Sequence, residues 1–288
     1  MRIHHLNCLT DCPFGGPIFD GFSKNLFGRI VCQCLLIETD RDGLVLIDTG
    51  YGLQDVRKPH PRLSRTIHAL LNIRFREEET AIRQVQGLGF DPKDVRHIVL
   101  THLDFDHAGG LEDFPQARVH VMEAEKDAAE NKRRGFISRR RYRPVQFDDV
   151  RDWRTYAGGG EPWFGFDSVR DLDGLPPEIL MVPLPGHTWG HAGIAVRAGD
   201  GWLLNAGDAY FFREEMNVER PRCTPGLRIY QTMMEVDREK RLGNQDRLRR
   251  LKRDQAGAVT VMCSHDALEY EALSAGGAYE GSPPQLSF

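Results

Sequence analysis

Four side chains able to bind a metal ion fall within six residues of one another in Thr101-His102-Leu103-Asp104-Phe105-Asp106-His107-Ala108-Gly109-Gly110. Two histidines and two aspartates at that density exceed what a polar surface loop supplies by composition. His102 and Asp104 are two residues apart, so in extended backbone their side chains point the same way and can share one ion. Asp106 and His107 are adjacent and diverge. The Ala-Gly-Gly that follows allows a tight turn, which favours a second ion beside the first. Val95 to Leu100 reads as a short buried strand leading into this loop, and strand ends are where α/β folds place ligand sites.

Three later stretches repeat the arrangement. Leu184-Pro185-Gly186-His187-Thr188-Trp189-Gly190-His191 sets a histidine in a Gly/Pro loop, Leu203-Leu204-Asn205-Ala206-Gly207-Asp208 ends a strand on aspartate, and Val259 to Met262 leads through Cys263-Ser264 to His265-Asp266. The set His102, Asp104, Asp106, His107, His187, Asp208 and His265 suffices for two divalent ions with one shared carboxylate, leaving room for a water.

With those motifs in view, the chain resembles the metallo-β-lactamase superfamily over most of residues 30 to 270: the loop at 102–107, the Gly-His at 186–187, the aspartate at 208 and the last histidine at 265. Within it, His-Leu-Asp-Phe-Asp-His-Ala-Gly-Gly, Pro-Gly-His-Thr-Trp-Gly-His and Gly-Asp-Ala-Tyr look most like the N-acyl homoserine lactone lactonases. The resemblance implies an αββα sandwich, an α/β (α+β) fold of two mixed β-sheets flanked by helices, with the metals at one end. It further implies that one ion takes His102, Asp104 and His187, the other takes Asp106, His107 and His265, and Asp208 bridges. The implied reaction is hydrolysis of a small lactone or ester by a bridging hydroxide, with Asp106 passing on a proton. Zinc is the expected metal, with Mn or Fe as alternatives. A thioester, β-lactam or phosphoester hydrolase on the same residues is the competing reading, ahead of a non-hydrolytic binding or redox protein.

Two positions depart from the pattern. Asp104 stands where the family usually has a second histidine; two divalent ions, four neutral histidines and three aspartates leave the site at +1, against +2 for the histidine version, and a harder oxygen donor tilts preference toward Mn or Fe. The lactonases place a tyrosine three residues beyond the bridging aspartate, where this chain has Phe211. Tyr210 is the nearest phenol and the catalytic candidate in its stead.

The remaining sequence must position these groups. With 288 residues and 40% hydrophobic content the chain can bury one sizeable core. The expectation is a single domain over 1–273, with insertions near 51–75 (a flap) and 132–175, and a flexible Gly/Pro-rich tail from 274 to 288. Strand patterns at 2–9, 29–48 (a hairpin ending on Asp48), 95–100, 117–122, 179–184, 191–206 and 258–263 alternate with helical spacing at 77–88, 123–131 and 227–253, the last broken near Gly243. Asp48 is expected to support ligand histidines from behind, and His191 to do so or to line the pocket.

A net charge of −4 provides no general attraction to nucleic acid or anionic membrane. The basic run from Lys132 to Arg143 beside the aromatics Tyr142, Trp153, Tyr156, Trp163, Phe164 and Phe166 therefore reads as a solvated face followed by a pocket wall. No apolar run of membrane-spanning length and no signal-peptide core appear, which predicts a soluble cytoplasmic protein, monomeric or homodimeric, acting on a small molecule. The six cysteines are expected to be reduced and to pack in the core.

Overall fold

Two β-sheets lie face to face in the computed structural model, which describes residues 1–131, 137–167 and 170–277. The first sheet is built from β1 (Arg2–Asp11), β2 (Ile30–Glu38), β3 (Leu44–Ile47), β4 (Ile73–Arg74), β5 (Val95–Val99), β6 (Arg118–Met122) and β7 (Trp153–Tyr156), in the order β4-β1-β2-β3-β5-β6-β7. The second contains β8 (Arg170–Asp171), β9 (Ile179–Pro183), β10 (Ala192–Ala198), β11 (Gly201–Asn205) and β12 (Val259–Met262), in the order β12-β11-β10-β9-β8. Both are mixed: β3, β5, β6 and β7 run parallel, as do β11 and β12, while hairpins supply the antiparallel pairs.

The alternation of strand side chains sorts the core into layers. Leu35, Ile37, Val45, Ile47 and Val99 face Met181, Ile194, Val196 and Leu203 between the sheets. Their neighbours Leu36, Leu46 and Ile98 turn outward onto Ala81, Val85, Ala128 and Ala129 of the helices Ala81–Gly87 and Glu123–Asn131. Leu180, Val182, Leu204 and Val261 back onto Leu248 and Leu251 of the helix Arg238–Asp254. Because both faces of each sheet are covered, central strands such as β2 are apolar almost throughout. This is the expected αββα sandwich.

Residues 51–75 fold as three short helices, Leu53–Arg57, Pro59–Arg62 and Arg65–Leu71, before β4. The helical stretch expected over 227–253 breaks elsewhere than at Gly243: Pro225–Met234 ends before Glu235, and Asp237 caps Arg238–Asp254 by accepting from the Lys240 N–H. Gly243 lies inside that second helix. A capping aspartate outweighed the roughly 1 kcal/mol that an interior glycine costs.

Of the six aromatics expected to wall a pocket, Tyr142, Tyr156, Trp163 and Phe166 are buried instead, on three different core layers, while Trp153 is half-buried and Phe164 exposed. Burying the rings within the sandwich removes more apolar surface from water than a half-exposed wall would. Lys132, Arg133 and Arg134 of the basic run and the tail beyond 277 lie outside the described residues. All six cysteines are free thiols. Among the described residues no helix is long and apolar enough to cross a membrane.

Candidate metal centre

The ends of β5, β11 and β12 meet at one edge of the sandwich, and the seven predicted ligands converge there, each at most 6% exposed. His102, Asp104, Asp106 and His107 come from the loop after β5, Asp208 from the turn after β11 and His265 from the turn after β12. His187 lies on the loop between β9 and β10. As their spacing predicts, His102 and Asp104 share one pocket, while Asp106 and His107 turn into another.

Asp208 divides its carboxylate between the two. Its Oδ2 lies 3.7 Å from His102 Nε2 and 3.3 Å from His187 Nε2, and Asp104 Oδ2 closes that group at 3.5 Å and 3.2 Å from the same nitrogens. Its Oδ1 lies 3.4 Å from His107 Nε2 and 3.0 Å from His265 Nε2, with Asp106 Oδ2 3.7 Å from His265 Nε2. A tetrahedral ion with bonds of 2.0–2.2 Å needs its donors roughly 3.3–3.6 Å apart. The first group therefore fits a divalent cation, and in the second Asp208 Oδ1, His107 and His265 are spaced for one, with Asp106 beside His265. Cys32, packed in the core beneath, brings its sulfur near Asp106 and His265.

The backs of the rings decide which nitrogen faces inward. His107 Nδ1 donates to Asp48 Oδ2 at 2.9 Å, and His265 Nδ1 donates to the Val31 carbonyl at 2.8 Å. Thr101 donates its hydroxyl to Asp48 Oδ2 at 2.8 Å, so its oxygen accepts His102 Nδ1–H at 3.0 Å. Each bond leaves an Nε2 lone pair toward the centre, the orientation metal ligation requires. Acceptors then face acceptors, and among the described residues His102 Nε2 and Asp208 Oδ1 have no hydrogen-bond partner. Such an arrangement demands cations. Without metal, protons serve: burial would lower the His265 pKa, but Asp208 overrides it and pushes it up to about 9.

Several supporting residues were expected and others were not. Asp48, at a positive φ of 54° just beyond β3, acts on His107 as anticipated. His191 accepts the Asp208 N–H on Nε2 at 2.9 Å and donates Nδ1–H to the Leu184 carbonyl, so it fixes the Asp208 turn. That turn also needs Gly207, which sits at φ 54° and whose Cβ would fall 2.6 Å from His191 Nε2. Glu125, wholly buried, accepts Leu103 N–H and Gly190 N–H at 3.0 Å each, tying the loop bearing His102 to the loop bearing His187. In sequence it looks like one more acidic residue in a first helical turn.

Arg141, expected on a solvated face, has a side chain only 1% exposed and grips Asp104 with Nε on Oδ1 at 2.8 Å and Nη2 on Oδ2 at 2.9 Å. Burial would raise the Asp104 pKa, but Arg141 and then His102 hold it well below the usual carboxylate range. No sequence signal separates Arg141 from Arg139 and Arg140 beside it.

Tyr210 does not fill the catalytic place expected of it. It is fully buried against the helix side of the second sheet, and its hydroxyl donates to Glu269 at 3.1 Å. Extended backbone at Tyr210, just past the 3-10 turn Gly207–Ala209, turns position 210 inward and Phe211 toward the site, where Phe211 stacks on His265 with ring centroids 5.0 Å apart. A different phenol, Tyr230 on the helix Pro225–Met234, packs edge-on against Phe211. It lines an apolar slot of about 90 Å³ together with Ile67, Leu70, Phe105, Arg141 and Met233.

The family model of the metallo-beta-lactamase superfamily matches residues 27–258. The chain belongs to that superfamily. A probable metallo-hydrolase of Mycobacterium tuberculosis is 40% identical over 272 residues, spanning 94% of this chain and 82% of the relative. An N-acyl homoserine lactonase of Bacillus thuringiensis is 24% identical over 189 residues, 65% of this chain and 67% of the lactonase. A solved N-acyl homoserine lactone hydrolase with N-hexanoyl-L-homoserine bound at its catalytic metal centre superimposes with a TM-score of 0.69 at 20% identity, covering 94% of this chain and 95% of its own. A dizinc quorum-quenching lactonase superimposes with a TM-score of 0.61 at 17% identity, covering 91% and 86%. This member of the superfamily is a metallo-hydrolase.

Proposed function

We propose that the protein opens a small lactone or ester carrying an apolar acyl group, using two divalent ions, zinc foremost, held by His102, Asp104, His187 and by Asp106, His107, His265 with Asp208 between them. The observation that carries this reading is the division of Asp208 between two donor groups of tetrahedral size. Bound there, such ions would supply Lewis acidity to an ester carbonyl and make water acidic enough to act as a nucleophile near neutral pH. The residues do the rest. Asp106 is placed to take up a proton and pass it to the leaving alkoxide. Burial favours the protonated Tyr230 phenol, so it can donate to the substrate carbonyl in the role expected of Tyr210. The slot lined by Ile67, Leu70, Phe105 and Met233 accepts an acyl chain and would leave a polyphosphate unsolvated. The lactonase relatives support the same substrate class.

The test is kcat/KM of zinc-reconstituted protein on N-acyl γ-lactones, simple esters, thioesters, β-lactams and phosphodiesters. Lactones or esters should lead, Asp106→Asn should abolish turnover, and Tyr230→Phe should lower kcat on the best substrate while Tyr210→Phe leaves it near wild type. A phosphodiester or β-lactam as best substrate would overturn the substrate assignment.

A further inference from the structure

The carboxylate of Asp104 lowers the charge of this site by one relative to the histidine form, and the structure shows where that charge returns. Four of the five N–H groups of the Arg141 guanidinium have oxygen acceptors: Nε and Nη2 hold the two oxygens of Asp104, and Nη1 donates to the His187 carbonyl at 3.1 Å and the Met234 carbonyl at 3.0 Å; the fifth, on Nη2, lies 3.0 Å from His187 Nε2, the nitrogen a metal ion would take. Met234 is the last residue of its helix, where the aligned carbonyls favour a cation. Arg141 thus occupies a built socket formed by the Asp104 loop, the His187 loop and that helix end. Two divalent ions, three ligand carboxylates and this arginine sum to +2, the charge of the all-histidine arrangement.

We propose that Asp104 and Arg141 act as one unit in place of a single neutral histidine, Asp104 giving the ligand atom and Arg141, as a positioning residue, aiming it and restoring the charge it removes. Planar bidentate pairing fixes the carboxylate so that Oδ2 faces His102 and His187, and an oxygen has a lone pair for each of two cations. The proposal rests on the two-ion reading of the site. Fewer than two ions in reconstituted wild-type protein would defeat that reading first, before any variant is compared.

The experiment is a double-mutant cycle read by metal content, affinity for the more weakly held zinc ion and thermal unfolding. Asp104→His alone should lower the unfolding temperature and weaken that ion, because a buried guanidinium is left without its carboxylate. Arg141→Met alone should weaken the ion by roughly 10- to 100-fold, the usual effect of removing a partner that orients a ligand. Asp104→His with Arg141→Met should recover two ions and most of the stability, and Arg141→Lys should retain more of the second ion than Arg141→Met. Additive losses in the double variant would mean that Arg141 only braces the His187 and Met234 carbonyls. Tighter zinc in Arg141→Met than in wild type would mean that the guanidinium, 3.0 Å from His187 Nε2, competes with the metal. Equal loss in the Lys and Met variants would remove charge as the cause. Any of these results overturns the proposal; should the double variant not fold, the Lys and Met comparison decides it alone.

Discussion

Asp104 and Glu269 are both buried carboxylates, and their surroundings hold them in opposite states. Asp104 has a guanidinium across both oxygens and stays ionised. Among the described residues Glu269 has no cation as a hydrogen-bond partner: burial, and then Asp266, push it up to about 8 although Cys263 N–H and the Tyr210 hydroxyl donate to it. Its folded pKa lies above the unfolded value of about 4.3, so the folded state binds the proton more tightly. Stability from this group is fully present below about pH 4.3 and falls as pH rises toward 8. Glu269→Gln should therefore melt at a temperature that drops less than wild type between pH 5 and 8. Parallel melting curves over that range would show that Glu269 ionises normally in the fold.

At the level of elements, the centre depends on loops from different strands keeping a fixed relation, and a helix provides it. Glu125, in the first turn of Glu123–Asn131, receives one N–H from each of two ligand loops. Glu125→Gln turns one acceptor into an NH2 group facing another N–H. That should cost about 1–3 kcal/mol, the usual penalty of a buried donor left unmade. It should also weaken zinc at the group containing His102 and His187 more than at the group containing His107 and His265. Equal weakening of both, measured by metal titration, would place Glu125 in general packing only.

On the scale of the whole molecule, the two sheets are joined by apolar packing along their length and by the centre at one edge. Candidate ligands from the first sheet (His102, His107) and the second (Asp208, His265) meet in one buried cluster, where a cation would tie the two together. Metal binding to the folded state alone adds RT ln(1 + [L]/Kd), about 4 kcal/mol at a thousandfold excess over Kd. Chelation should lower the unfolding temperature, and zinc should restore it. A melting temperature indifferent to chelator would mean that the sheets need no help from the centre.

The local patterns in this sequence were sufficient for the sandwich, the superfamily and the loops that bring the candidate ligands together, because each is written in short-range terms. Strand alternation, capping residues and a His-x-Asp-x-Asp-His run before Ala-Gly-Gly act within a few residues, and His187, Asp208 and His265 each follow a legible strand. Partnerships across long separations could not be read that way. Arg141 lies 37 positions from Asp104, and nothing in Arg139-Arg140-Arg141 marks the arginine that turns inward. The same holds for Glu125 between two loops and for Tyr230, which packs on Phe211 from a helix far along the chain. The break before Asp237 was misplaced at Gly243 because a capping bond overrode an intrinsic preference. Which buried charge meets which, and which phenol faces the centre, depends on how the sheets and helices close over one another, since burial makes a charge costly and only the folded chain brings it a partner.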